Sequence, residues 1–82
     1  LIVFDEKRYA EKMLKHGFMT KNKNVYELNL LSKYYLSEGR SVIDVKYLIV
    51  KFCEDNIEHF NIDEWYKIIN KTISFALKSK LI

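Results

Sequence analysis

The chain contains no proline, only two glycines and a single cysteine. Without proline there is no fixed kink or polyproline segment to interrupt regular structure. With Gly17 and Gly39 as the only glycines, no glycine-rich phosphate-binding loop can be assembled. Cys53 alone excludes an internal disulfide, and neither His59 nor the remote His16 gives it the paired-ligand spacing of a structural zinc site. Long apolar runs are also missing. Tyr47-Leu48-Ile49-Val50 is stopped by Lys51, far short of the ~20 residues of a membrane span. These absences predict a cytoplasmic protein with no membrane span, no metal and no cofactor.

What is present is a dense supply of core material. Of 82 residues, 49% are apolar and 15% aromatic. A chain of this length has room for one domain and buries only about 60–65% of its unfolded surface, so large side chains must supply the burial. Lysine far outnumbers arginine, and Asn, Ile and Tyr are abundant, a bias expected of an AT-rich genome such as those of low-GC bacteria and their phages. The chain opens on Leu1-Ile2-Val3-Phe4 and closes on Lys80-Leu81-Ile82, which is expected of a piece of a longer polypeptide, with residues 1–4 as an arm or a severed end.

Three times a capping residue precedes an acid by three positions at the head of an amphipathic stretch: Asn24 with Glu27, Ser41 with Asp44, and Asn61 with Glu64. This is the spacing of a capping box, in which side chains satisfy the free amides of a helix start. Asp5 can cap a further helix that leaves through Gly17. The expected fold class is therefore all-α, a compact bundle of about four short helices in a single domain. The helices are expected at about 5–16, 25–38, 42–56 and 62–79. The third carries Val45, Leu48, Ile49 and Phe52 at core-facing spacing and is expected to be central. In the fourth, Ile62, Trp65, Ile69, Ile73 and Ala76 share one face, with Phe60 placed to staple onto Trp65.

Charge is uneven along the chain. Residues 1–24 and 61–82 are net basic, whereas 25–60 is net acidic. If the first and last helices lie together, Lys12, Lys15, Lys21 and Lys23 join Lys67, Lys71 and Lys78 in one basic surface able to attract nucleic acid. The simpler interpretation of such rows is a solvated helix exterior. Glu54 and Asp55 occupy the last turn of the third helix and Glu58 follows, where negative charge opposes the helix dipole. Pairing with Lys51, Lys46 or a neighbouring helix would account for them; otherwise they form an acidic docking patch for a basic partner protein.

Adjacent helical residues point about 100° apart, so with Tyr35 in the core Tyr34 is expected at the rim or exposed, and Tyr66 stands likewise to Trp65. Exposed tyrosines beside Lys33 or Lys67 can anchor a protein interface or stack on a nucleobase, although boundary packing is their commoner role. Leu30, Ile43 and Leu77 would support a homo-oligomer if they shared an exposed patch. No nucleophile stands in a recognisable catalytic constellation, so the chain is not expected to be an enzyme.

One pattern goes further. A helix ending Tyr-Leu-Ser-Glu-Gly-Arg-Ser, another ending Phe-Cys-Glu-Asp-Asn, and Glu-Trp-Tyr-Lys-Ile-Ile opening a last helix together resemble the small helical C-terminal domains of some phage and plasmid primases. The resemblance covers under two-thirds of the chain, from Leu28 to Lys78, and departs from that pattern at His59-Phe60-Asn61, where a proline-containing loop is usual. It implies an accessory role in DNA replication, either DNA-binding or docking a protein, and carries over no catalytic residue. The expected function is thus a helical module for protein–protein interaction through Tyr34, Tyr66, Glu54, Asp55 and Glu58. The alternative is a nucleic-acid-binding accessory domain that uses the lysines.

Overall fold

Each well-defined helix start coincides with a short polar side chain that takes a free backbone amide. In the computed structural model, which describes residues 5–20 and 24–79, α1 spans Glu6–His16, α2 Asn24–Ser37, α3 Val42–Asn56 and α4 Ile62–Leu77. Asp5 Oδ1 accepts from Arg8 N at 3.1 Å and Ser41 Oγ from Asp44 N at 3.2 Å, each three residues on. Asn61 Oδ1 instead accepts from Asp63 N, at 2.9 Å. The fold is all-α, and Phe60 meets Trp65 across the α4 cap at a ring distance of 6.2 Å. Leu1–Phe4, expected as an arm or severed end, lies outside the described residues.

Glu27, the acid of the Asn24–Glu27 pair, has a different role from the one expected. The Glu27 carboxylate reaches back to the α1–α2 connection and accepts from Met19 N (2.8 Å), Thr20 N (3.0 Å) and Thr20 Oγ1 (2.6 Å). Glu27 is fully buried, and these charge-assisted bonds satisfy a carboxylate that would otherwise be expensive to desolvate. It fixes the turn that brings α1 onto α2.

The central helix is α2, not α3. It packs against all three others; α3 also packs on α4, whereas α1 packs on α2 alone. The physical reason is the composition of α2: Leu28, Leu30, Leu31, Tyr34, Tyr35 and the small Ser32 are all buried. At about 100° per residue they cover more than half of its circumference. Ser32 Oγ returns its hydrogen bond to Leu28 O at 2.8 Å, so it can be buried without another partner. Around α2 gather Ala10 and Met13 of α1, Val45, Ile49, Phe52 and Cys53 of α3, and Ile69 and Ile73 of α4. Full burial of a side chain such as Leu28 or Leu31 contributes about 1.5–3 kcal/mol.

Two polar ties set the register. Lys33 of α2 bridges Glu6 of α1 at 3.0 Å with both side chains nearly buried, and Asn29 Nδ2 donates to Thr72 O of α4 at 3.2 Å. The molecule is flat, 41 × 26 × 18 Å, which leaves α3 and α4 each with an uncovered flank.

Candidate interaction surface

The first uncovered flank lies where α3 meets α4. Ile43, Tyr47, Val50 and Glu54 recur at i, i+4, i+7 and i+11 and so share one side of α3. Ile43 is 81% exposed and Tyr47 65% exposed. Beside them, the Lys46 ammonium sits 4.5 Å from the ring centroid of Tyr66 on α4, a cation–π contact that holds the half-exposed ring in place. Asn70, hydrogen-bonded to the phenol, and then the Lys46 charge pull Tyr66 below its usual pKa of 10.0. The expected docking residue Tyr66 is therefore presented, beside Ile43, which the sequence offered only for a homo-oligomer patch, and Tyr47, which sequence reasoning passed over. The i, i+4 pairing of Ile43 with Tyr47, away from the Val45/Ile49 stripe, was the available signal.

Tyr34 is not part of this surface. It is buried on α2 beside Tyr35, at a ring distance of 5.8 Å. Its pKa is raised first by the hydrogen bond to Glu38 and then by burial. The expectation of an exposed Tyr34 assumed one apolar stripe on α2, but a helix with three neighbours buries both tyrosines. Leu30 is buried for the same reason and cannot join Ile43 and Leu77 in an exposed patch.

The acidic residues are presented in part together. Glu54 extends the Ile43–Tyr47 side of α3, Asp55 lies on the other flank, and Glu58 follows in the exposed turn where His59 adopts φ +57°. Glu58 lies 3.5 Å from His59. Among the described residues no lysine or arginine pairs with Glu54 or Asp55; Lys46 stands two turns away on α3 and is turned to Tyr66. The compensating pairs expected with Lys46 and Lys51 do not form.

The lysines do not form one surface. Lys12 and Lys15 are exposed on α1, which makes no packing contact with α4. Lys21 and Lys23 lie outside the described residues. Lys67, Lys71 and Lys78 are exposed on the side of α4 opposite its buried Ile69, Ile73 and Ala76 stripe.

On the other flank of α4 lies a half-open groove of about 350 Å³ lined by Val25, Ile68, Lys71, Thr72 and Phe75. Val25 and Phe75 are about half exposed. The Lys71 ammonium stands 6.0 Å from the Phe75 ring centroid. Thr72 is buried, yet its hydroxyl makes no hydrogen bond among the described residues, which costs about 1–3 kcal/mol. Ile68 and Phe75, seven residues apart, announce this flank in the sequence; the contribution of Val25 depends on how α2 meets α4.

Cys53 is buried, and desolvation pushes its thiol up to about 12. Among the described residues no three His, Cys, Asp or Glu side chains stand close enough to hold a metal, and no helix is long and apolar enough to cross a membrane. No protein family, curated protein or solved structure matches the chain.

Proposed function

We propose that the chain is a helical module that docks a protein partner through the α3–α4 flank. The observation that carries this is Tyr66, half exposed and held under Lys46, beside the strongly exposed Ile43 and Tyr47. Positioned tyrosines surrounded by aliphatic groups are the usual energetic centres of interfaces. Glu54 on the same side of α3, with Asp55 and Glu58 nearby in the chain, supplies negative charge that no lysine or arginine among the described residues pairs with, and favours a basic partner. The primase-domain resemblance would place such a module in a replication protein of a phage or low-GC bacterium.

Binding of nucleic acid by Lys67, Lys71 and Lys78 is the competing reading. It is weakened by the separation of α1 from α4, which splits the basic surface. Titration against candidate partner proteins decides between them: Tyr66→Ala and Glu54→Lys are each expected to lower affinity. Unchanged affinity in both removes this flank from the function. Gel-shift binding at low salt that is lost in Lys67→Glu/Lys71→Glu would favour nucleic acid instead.

A further inference from the structure

We infer that the groove between α2 and α4 is a second docking site, for an acidic amphipathic helix of a partner protein. It lies on the flank of α4 opposite Tyr66, since Ile68 follows Tyr66 by two positions and points about 160° away around the helix. The inference is independent of the α3–α4 flank.

Three observations define the occupant. Val25, Ile68 and Phe75 are large, exposed and gathered along a groove between two helices, the shape into which the apolar side of a third helix packs. The groove is half open and about 350 Å³, the lower end of the range for ligand pockets, so it takes side chains from a surface rather than enclosing a small molecule. Its charge is predominantly basic. Lys71 lines it and Lys67 and Lys78 stand on the adjoining face, while among the described residues no acid lines it. The α2 carboxylate nearest in sequence to Val25, that of Glu27, is committed to Met19 and Thr20. Asp63 lies off this side of α4, and Glu64, one turn before Ile68 on the groove's side, is a single acid at its far end against Lys67, Lys71 and Lys78.

Thr72 adds a polar requirement. Its buried hydroxyl lacks a partner among the described residues, and Thr72 is one of the residues that line the groove. By turning about χ1 toward the groove, this hydroxyl can join the Lys71 ammonium in taking a carboxylate or side-chain amide of the docking helix, which a wholly apolar occupant would leave unsatisfied.

The test is selection from a displayed library of amphipathic helices in which the residues flanking the apolar face are free to be acidic, neutral or basic. Binders are expected to be enriched in Glu and Asp at the flanks. Titration of those peptides should show affinity falling roughly tenfold in Lys71→Glu and several-fold in Thr72→Val, with Lys51→Glu close to wild type. The Thr72→Val protein should itself be at least as stable as wild type, so weakened binding is not a folding defect. Neutral or basic flanks in the selected set, no binders, or equal losses in Lys51→Glu and Lys71→Glu would overturn the inference. So would concentration-dependent sedimentation of the free chain abolished by Phe75→Ser, because a second copy would then be the occupant. None of these outcomes bears on Tyr66→Ala and Glu54→Lys, which test the other flank.

Discussion

Thr20 gives one oxygen of Glu27 two hydrogen bonds, from its backbone amide at 3.0 Å and from its hydroxyl at 2.6 Å. The second oxygen takes the amide of Met19 at 2.8 Å. A buried carboxylate thus organises the connection between α1 and α2. Glu27→Ala is expected to destabilise the protein by about 2–4 kcal/mol, and Thr20→Val, which removes one of the three bonds, by about 1 kcal/mol. Urea denaturation of the two variants measures the difference. Equal losses would mean that the carboxylate does not hold the turn.

The starts of all four helices were legible in the sequence to within one residue, because a cap and the period of an apolar face are local signals. Ser41 caps at the spacing read from the sequence, and Asp5 caps the first helix as expected. What was not legible depends on which helices become neighbours. Glu27 stands where a capping-box acid should, and nothing local shows that it reaches back seven and eight residues instead. Tyr34 and Tyr35 look like a core residue and a rim residue until α2 acquires partners on three sides. The lysines of α1 and α4 share a sign of charge but no packing contact, which only the packing of both helices on α2 decides.

The two glycines should differ sharply in tolerance. Both have positive φ, +83° at Gly17 and +86° at Gly39. Gly17, at ψ −157°, lies in a region essentially closed to other residues, and a Cβ there would collide with the Asn56 side-chain oxygen. At Gly39 an added Cβ meets nothing. Gly17→Ala is expected to lose about 2–3 kcal/mol and Gly39→Ala about 1 kcal/mol. Thermal melts that rank them in the opposite order would contradict the close approach of Gly17 to α3.

Cys53 makes stability depend on alkaline pH. The folded thiol is raised from 9.0 to about 12 by burial. Below pH 9 both states hold the proton and the residue contributes no slope. Between 9 and about 12 the unfolded chain releases it while the folded protein retains it, so stability falls as pH rises. Denaturation curves over that interval should be flatter in Cys53→Ala than in wild type, allowing for the titration of tyrosine and lysine common to both. Native protein should also react with a thiol reagent only as fast as it opens.

Tyr66 reports on its own surroundings. Asn70 and Lys46 together hold its phenol below 10.0, so Lys46→Gln and Asn70→Ala should each move its ultraviolet titration upward without a large change in stability. A midpoint unaffected by either substitution would show that the ring is not held as described, and would remove the basis for treating it as a prepared docking residue.

The single seam between α1 and α2 makes the bundle mechanically asymmetric. Force applied to α1 loads one helix–helix junction, pinned by Glu6 on Lys33 and by the Glu27 turn, whereas force applied to α4 must shear its junctions with α2 and α3 together. Tension delivered through the first helix would therefore strip it from α2 while the other three helices were still assembled.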